Sequence, residues 1–331
     1  MTRTERRGLR VVVTGASAGV GRATALRLAD DGARVALIAR DREALEDTAR
    51  DVAAKGGEAL VLPCDVAEAE AVFRAADAAV EAWGGIDVWI NDAMVTLFSQ
   101  VRDLTPDEVR RVTDVCYLGS VHGTLAALRH MQAQDRGVIV QVGSALAYRA
   151  IPLQAAYCAA KHAIRGFVDA LRVELRHEGS AIRVTSVHLP GVNTPQFAWA
   201  RSRFARNPRP AGGGIIEPEA AAEAILRAID RPHRELWVDL QTVVVILGNM
   251  LAPSLADRFL ARTAVEGQLG EHEVPPDRPG NLEEPVAAHA TRGAFSNEAK
   301  ATAPSFDGVR TVAGTAIAVI ALALGLGWTL G

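Results

Sequence analysis

Along the first two-thirds of the chain, short aliphatic and β-branched runs alternate with amphipathic stretches of helical period. Residues 11–13 read as a strand, then a glycine turn and a helix to about Asp31, which Gly32 stops as a C-cap. Residues 34–39 form a second strand and 41–54 a second helix. Further short apolar strands are expected at 58–62, 86–91, 138–142 and 182–188. Helical stretches at about 67–83, 106–131 and 155–178 separate them, and Thr105-Pro106 suits a helix start. Strand–helix repetition of this kind predicts an α/β fold: one doubly wound, Rossmann-type parallel sheet covered on both faces.

The pattern changes after residue 191. Residues 192–216 form a loop-rich region with Arg201, Arg203, Arg206 and Arg209, read as a solvated, mobile loop or as a site for an anionic group. A helix (218–230) and a last strand (235–238) close the sheet. The apolar run TVVVILGNMLAP that follows is too short to span a bilayer, so it reads as a core or interfacial helix. Residues 270–308, rich in Pro, Gly and charge, read as an extended, poorly packed connector. Residues 311–331 carry no charge, and about 20 apolar residues suffice for a transmembrane helix. The expected organisation is therefore a domain over 1–240, an extension or linker over 241–308 and a membrane anchor over 309–331. Arg310 beside the span favours a catalytic domain on the cytoplasmic side.

Composition narrows the chemistry. Of 331 residues, 49% are hydrophobic, ample for a large core. A net charge of −3 argues against a nucleic-acid partner held by bulk charge. Cys64, Cys116 and Cys158 are far apart, fit no metal-ligand spacing and suggest a reducing compartment. No metal site is expected. The basic N-terminus runs into the first strand without an apolar stretch of signal-peptide type.

The first strand feeds Thr14-Gly15-Ala16-Ser17-Ala18-Gly19-Val20-Gly21. A pyrophosphate must approach the free amides and positive dipole end of the first helix, and glycines remove the side chains that would block it. Alone, such a loop could be a flexible turn; between a strand and a helix it reads as a dinucleotide site. The second strand ends in Ala39-Arg40, where NAD enzymes usually carry an acidic residue for the ribose 2′-hydroxyl. An arginine there can pair with a 2′-phosphate, so Arg40 favours NADP(H), with NAD(H) left open. Its bland alternative is a surface arginine at a helix start.

Tyr157 and Lys161 are four apart on an expected helix and share one face. An ammonium near a phenol favours the phenolate, so the lysine is expected to lower the tyrosine pKa and make it a general acid/base. Such a pair by itself is commonly a surface feature.

The spacing Gly-x-x-x-Gly-x-Gly resembles that of short-chain dehydrogenases/reductases, and other segments agree over about residues 8–240. Cys64-Asp65-Val66 resembles the family's adenine-contacting Asp-Val. Asn91-Asp92-Ala93-Met94 stands where the family has Asn-Asn-Ala-Gly. Ser144, Tyr157 and Lys161 match its catalytic set, and Pro190-Gly191-Val192-Asn193-Thr194 its Pro-Gly loop. The resemblance implies that Ser144 orients the substrate oxygen, Tyr157 exchanges its proton, and Lys161 also holds the nicotinamide ribose. It implies cofactor contacts from Thr14, Gly15, Ser17, Gly19, Val20, Gly21, Arg40, Asp65, Val66, Asn91, Ala93, Pro190, Gly191, Val192 and Thr194. Two departures stand out. Cys116 replaces the asparagine that supports the family's proton relay, and Asp92 and Met94 replace an asparagine and a glycine beside the cofactor.

The expected activity is interconversion of a carbonyl and an alcohol. Leu146, Ile151, Leu153 and Phe197 near the expected pocket suggest a small lipophilic substrate. The alternative, motivated by Cys116, Asp92 and Met94, is a weakly active or non-catalytic membrane-tethered NADP(H)-binding protein. The resemblance also implies a homo-oligomer.

Overall fold

Strand β1 (Arg10–Thr14) sets the layering, because its side chains alternate between two cores. Val11 and Val13 face one side, with Val35, Leu37, Ile90 and Val140. Val12 faces the other, with Ala36, Ile38, Trp89 and Ile139. Burial on both faces explains why the strands read as unbroken apolar runs. The computed structural model describes residues 5–317 except 213, 276, 277, 279, 287 and 288.

The remaining strands of the main sheet are β2 (Arg34–Ala39), β3 (Glu58–Pro63), β4 (Val88–Asn91), β5 (Val138–Ser144), β6 (Arg183–Leu189), β7 (Glu235–Val238) and β8 (Ser305–Asp307). Their order is β8-β7-β6-β5-β4-β1-β2-β3. All pairings are parallel except that of β8 on β7. The order reverses between β1 and β4, and ligands of such sheets bind in the crevice beyond the strand ends at this switch.

The helices are α1 (Gly19–Ala29), α2 (Arg42–Ala54), α3 (Ala69–Trp83), α4 (Pro106–Thr113), α5 (Gly119–Gln134), α6 (Ala155–His177), the short α7 (Gln196–Trp199), α8 (Pro218–Asp230), α9 (Asp239–Leu251) and α10 (Pro253–Thr263). Thr105 and Glu108 form a capping box that starts α4. The single helix expected over 106–131 is interrupted by a π-helical turn, Asp114–Leu118, which carries Cys116. Such turns recur at functional sites.

Two expectations are corrected. Residues 270–308 are not a loose connector. Leu269–Glu273 pairs with Arg206–Pro208, Leu282 is fully buried, and β8 extends the main sheet. Nor are the four loop arginines solvated and unpartnered. Arg201 and Arg203 pair with Glu108, Arg206 with Glu266 and Arg209 with Glu298. Each meets a carboxylate far away in sequence, a proximity that charge patterning along the chain cannot reveal. The apolar run after β7 is helical, as α9. Among the described residues no helix is long and apolar enough to cross a membrane. Residues 308–317 are helical, and the rest of the expected span, 318–331, lies outside the described residues.

Candidate active site

A single cavity of about 800 Å³ runs from the glycine loop, past the ends of β1, β4 and β5, to α9 and α10. At one end, Gly15 and Gly19 take left-handed φ values of 73° and 55°. A Cβ on Gly15 would lie 2.9 Å from the Ala93 Cα, so the loop packs against the backbone after β4. Gly21 is more constrained still, since its Cβ would meet the Gly15 carbonyl oxygen at 2.3 Å. Helix α1 has neither a side-chain cap nor an acidic residue in its first turn. That leaves a positive helix end facing the cavity, suited to a pyrophosphate.

Of the cofactor residues expected from the sequence, Gly15, Ser17, Gly19, Val20, Arg40, Asp65, Val66, Ala93, Pro190, Gly191, Val192 and Thr194 line this cavity. Thr14, Gly21 and Asn91 do not. Thr14 Oγ1 accepts hydrogen bonds from the Asp92 and Ala93 amides, at 3.0 and 3.1 Å, and so holds the turn after β4. Asn91 is corrected from a cofactor contact to a buried structural residue. Its amide donates to the Ser120 carbonyl and Thr124 Oγ1, and its carbonyl accepts from Trp89 Nε1. The period of two along β4 turns it towards α5, away from the cleft.

Ser144 lies at the end of β5, and Tyr157 and Lys161 lie one turn apart on α6. Ser144 lies beside the Tyr157 hydroxyl. The Lys161 ammonium sits 5.5 Å from the Tyr157 ring centre and donates to the Val142 carbonyl at 2.7 Å. Burial pushes the Tyr157 phenol well above its ordinary range, with the neighbouring Cys116, Cys158 and Asp92 adding to the rise and Ser144 opposing it. Burial also lowers Lys161. A phenol raised in this way is a protonated proton donor.

Cys116 is fully buried. Its thiol donates to the Val95 carbonyl at 3.2 Å and accepts from the Val95 amide at 3.4 Å, which pins the chain after β4 to the π-helical turn. Burial raises its pKa, so it is a thiol and not a nucleophilic thiolate. Asp92 lies nearby. Burial pushes its carboxyl up to about 7, against the pull of Lys161 and of a bond from the Gly21 amide.

Sequence reading missed the strap that crosses the cofactor end. Arg40 donates to the carbonyls of Asn281, Leu282 and Glu283. Arg111 donates to the Leu282 carbonyl at 2.9 Å and pairs with Asp65 at 2.6 Å. His289 bridges Asp41 and Asp47 at the start of α2. The Gly19 amide, the first of α1, donates to the Ala290 carbonyl at 3.1 Å. Further along, Asn193 is fully buried and accepts from the Phe295 amide.

The far end of the cavity is largely apolar. Of the four residues expected there, Leu146, Ile151 and Phe197 line it, whereas Leu153 packs behind it with Phe98. Val244, Val245, Leu255, Phe259 and Leu260 of α9 and α10 complete the wall. Arg149 and Asn249, hydrogen-bonded at 3.1 Å, are polar groups on it.

Comparison with known proteins agrees with this geometry. Residues 10–203 match the family described as short chain dehydrogenase. An uncharacterized oxidoreductase of Bacillus subtilis, YxnA, is 34% identical over 280 residues, 84% of this chain and 77% of its own. A putative oxidoreductase of Mycobacterium tuberculosis, SadH, is 34% identical over 258 residues, 73% of this chain and 91% of its own. A metagenomic short-chain oxidoreductase solved in complex with NADP superposes with a TM-score of 0.58 at 30% identity, covering 68% of this chain and 92% of that one. NAD+-bound xylitol dehydrogenase gives 0.55 at 35% identity, over 57% of this chain and 72% of its own.

Proposed function

Because this chain belongs to the short-chain dehydrogenase/reductase family, we propose that it interconverts a lipophilic carbonyl and its alcohol with NADP(H) as cofactor. The observation that carries the reading is the set Ser144, Tyr157 and Lys161 on the wall of a cavity whose other end is a glycine cradle. A bound nicotinamide supplies or takes up the hydride. The chain's own residues do the rest. Ser144 and Tyr157 present two hydroxyls to the substrate oxygen, and the protonated Tyr157 donates its proton in the reducing direction. Lys161, anchored on the Val142 carbonyl, stands ready to stabilise the phenolate that forms. The apolar wall of Leu146, Ile151, Phe197, Val244 and Phe259 favours a lipophilic substrate.

Preference for NADP(H) is carried by Arg40, which lines the cavity where β2 ends. Loss of a charge-assisted pair costs about 1.5–3 kcal/mol, or roughly ten- to a hundredfold in affinity. The test is NADPH- against NADH-dependent turnover on a panel of lipophilic ketones and aldehydes, with calorimetry of both dinucleotides. Arg40→Ala should reduce the NADP-to-NAD affinity ratio by that factor; an unchanged ratio removes Arg40 as the selector.

Residues 309–331 are read as a membrane anchor, on the uncharged sequence after Arg310. The chain should therefore sediment with phospholipid vesicles, and deleting 309–331 should lower the sedimenting fraction. Fractionation unaltered by the deletion would count against an anchor.

A further inference from the structure

Helix α9 keeps Asp239, Thr242, Val243 and Ile246 against the sheet. Its opposite stripe, Leu240, Val244 and Leu251, is 60%, 62% and 68% exposed. The spacing of four and seven residues puts the three on one line along the helix. Helix α10 buries none of its side chains, and its apolar pair Leu255 and Phe259 is 65% and 64% exposed. An eleven-residue helix gains little from propensity alone and is held by what its apolar face covers, so this face calls for a partner. A contiguous exposed apolar surface of this kind marks an interaction site, not chance exposure.

Two observations identify the partner, and a third concerns the anchor. First, Val244, Leu255 and Phe259 also line the cavity that holds Tyr157, so the face is the rim of the substrate's own opening. Second, the exposed Arg258 and Arg262 flank the apolar pair on α10 and hold no ion pair among the described residues. An apolar stripe edged by free arginines fits an anionic lipid surface. Third, β8 pairs with β7, the strand that leads into α9, and residues 308–317 run on from β8 with Val309, Val312 and Ile317 exposed. The sequence then continues through 318–331 without a charge. Because β8 runs antiparallel to β7, with Ser305 opposite Val238 and Asp307 opposite Leu236, this uncharged end leaves the sheet at the end of β7 opposite the start of α9.

We propose that the outward face of α9 and α10 docks on an anionic phospholipid bilayer, so that the cavity opens onto the lipid. Leu240, Val244, Leu251, Leu255 and Phe259 enter the headgroup–acyl boundary, and Arg258 and Arg262 lie among the headgroups. The proposal deepens the reading of a lipophilic substrate, and it rests on the anchor only for bringing the chain to a membrane.

The test uses the full chain with Leu251→Cys carrying an environment-sensitive fluorophore. The unsubstituted chain, labelled in parallel, accounts for the partly exposed Cys64. Residue 251 is exposed and outside the cavity lining, and Leu240→Cys gives a second position of the same kind. Vesicles of phosphatidylcholine and phosphatidylglycerol should shift both labels to the blue, and lipids brominated on their acyl chains should quench them. Vesicles of phosphatidylcholine alone should give a weaker response. A chain that sediments with vesicles while both labels stay unchanged is held by its tail only, and the docking face is refuted. A blue shift that grows with protein concentration without lipid assigns the face to a second copy, and one already complete in dilute buffer assigns it to residues 318–331; either overturns the proposal. None of these readouts needs turnover, so they fail or succeed independently of the enzymatic assignment.

Discussion

A Tyr157→Phe chain is expected to bind NADP(H) with unaltered affinity and to turn over a carbonyl substrate about 10²–10⁴-fold more slowly. That factor corresponds to roughly 3–5 kcal/mol of activation free energy. The substitution keeps the ring, and with it the packing against Lys161 and the core around Ala156, Ala160 and Ile164. What it removes is the hydroxyl beside Ser144 on the cavity wall. Among the hydroxyls there it is the acidic one. Ser144 Oγ accepts from the Leu146 amide at 3.1 Å, and a hydroxyl is a far weaker acid than a phenol. Steady-state kinetics beside calorimetry decide the matter: turnover within a few-fold of the native chain would exclude Tyr157 as the proton donor. A native chain that binds NADP(H) but turns over nothing on a broad panel would instead favour the cofactor-binding alternative.

The second large effect is one of stability and concerns Asp92. Its carboxyl is pushed from an ordinary 3.8 to about 7, chiefly by burial. The folded protein therefore retains a proton that the unfolded chain has released between those two values. By linkage, stability falls as pH rises through this window and is flat from this source on either side. A shift of about three units corresponds to at most roughly 4 kcal/mol, less any screening by cavity water. Asp92→Asn removes the titration while keeping a side-chain oxygen to accept the Gly21 amide. In urea unfolding of the cofactor-free protein, the variant should match the native chain near pH 4, exceed it increasingly up to about pH 7, and keep that margin above it. A stability difference that does not change with pH would show that Asp92 is not held protonated by the fold.

The sheet was legible in the sequence because doubly buried strands are apolar runs. The bounds expected for β2, β7 and α8 are those observed. The pair proposed for catalysis was visible because its spacing is local: Tyr157 and Lys161 share a helix face whatever surrounds it. Their acid–base state was not, since it depends on how much water the folded cavity leaves them. Asn91 misled because a motif names a residue without giving its direction. The four loop arginines misled because Glu108, Glu266 and Glu298 meet them only through the tertiary fold. The strap was invisible for a different reason. Its contacts at Arg40, Arg111 and Gly19 are made by main-chain carbonyls, which every residue type carries.

Those carbonyls have a kinetic consequence. The first amide of α1 and the guanidinium of Arg40 are the groups a pyrophosphate and a 2′-phosphate would use; the first is engaged by the Ala290 carbonyl and the second by those of Asn281, Leu282 and Glu283. An incoming dinucleotide thus meets a competitor tethered within the same chain, at a high effective concentration that dilution cannot lower. Its apparent affinity is its intrinsic affinity scaled by the fraction of molecules in which the segment has lifted away. Association should then saturate with ligand concentration, at the rate of lifting.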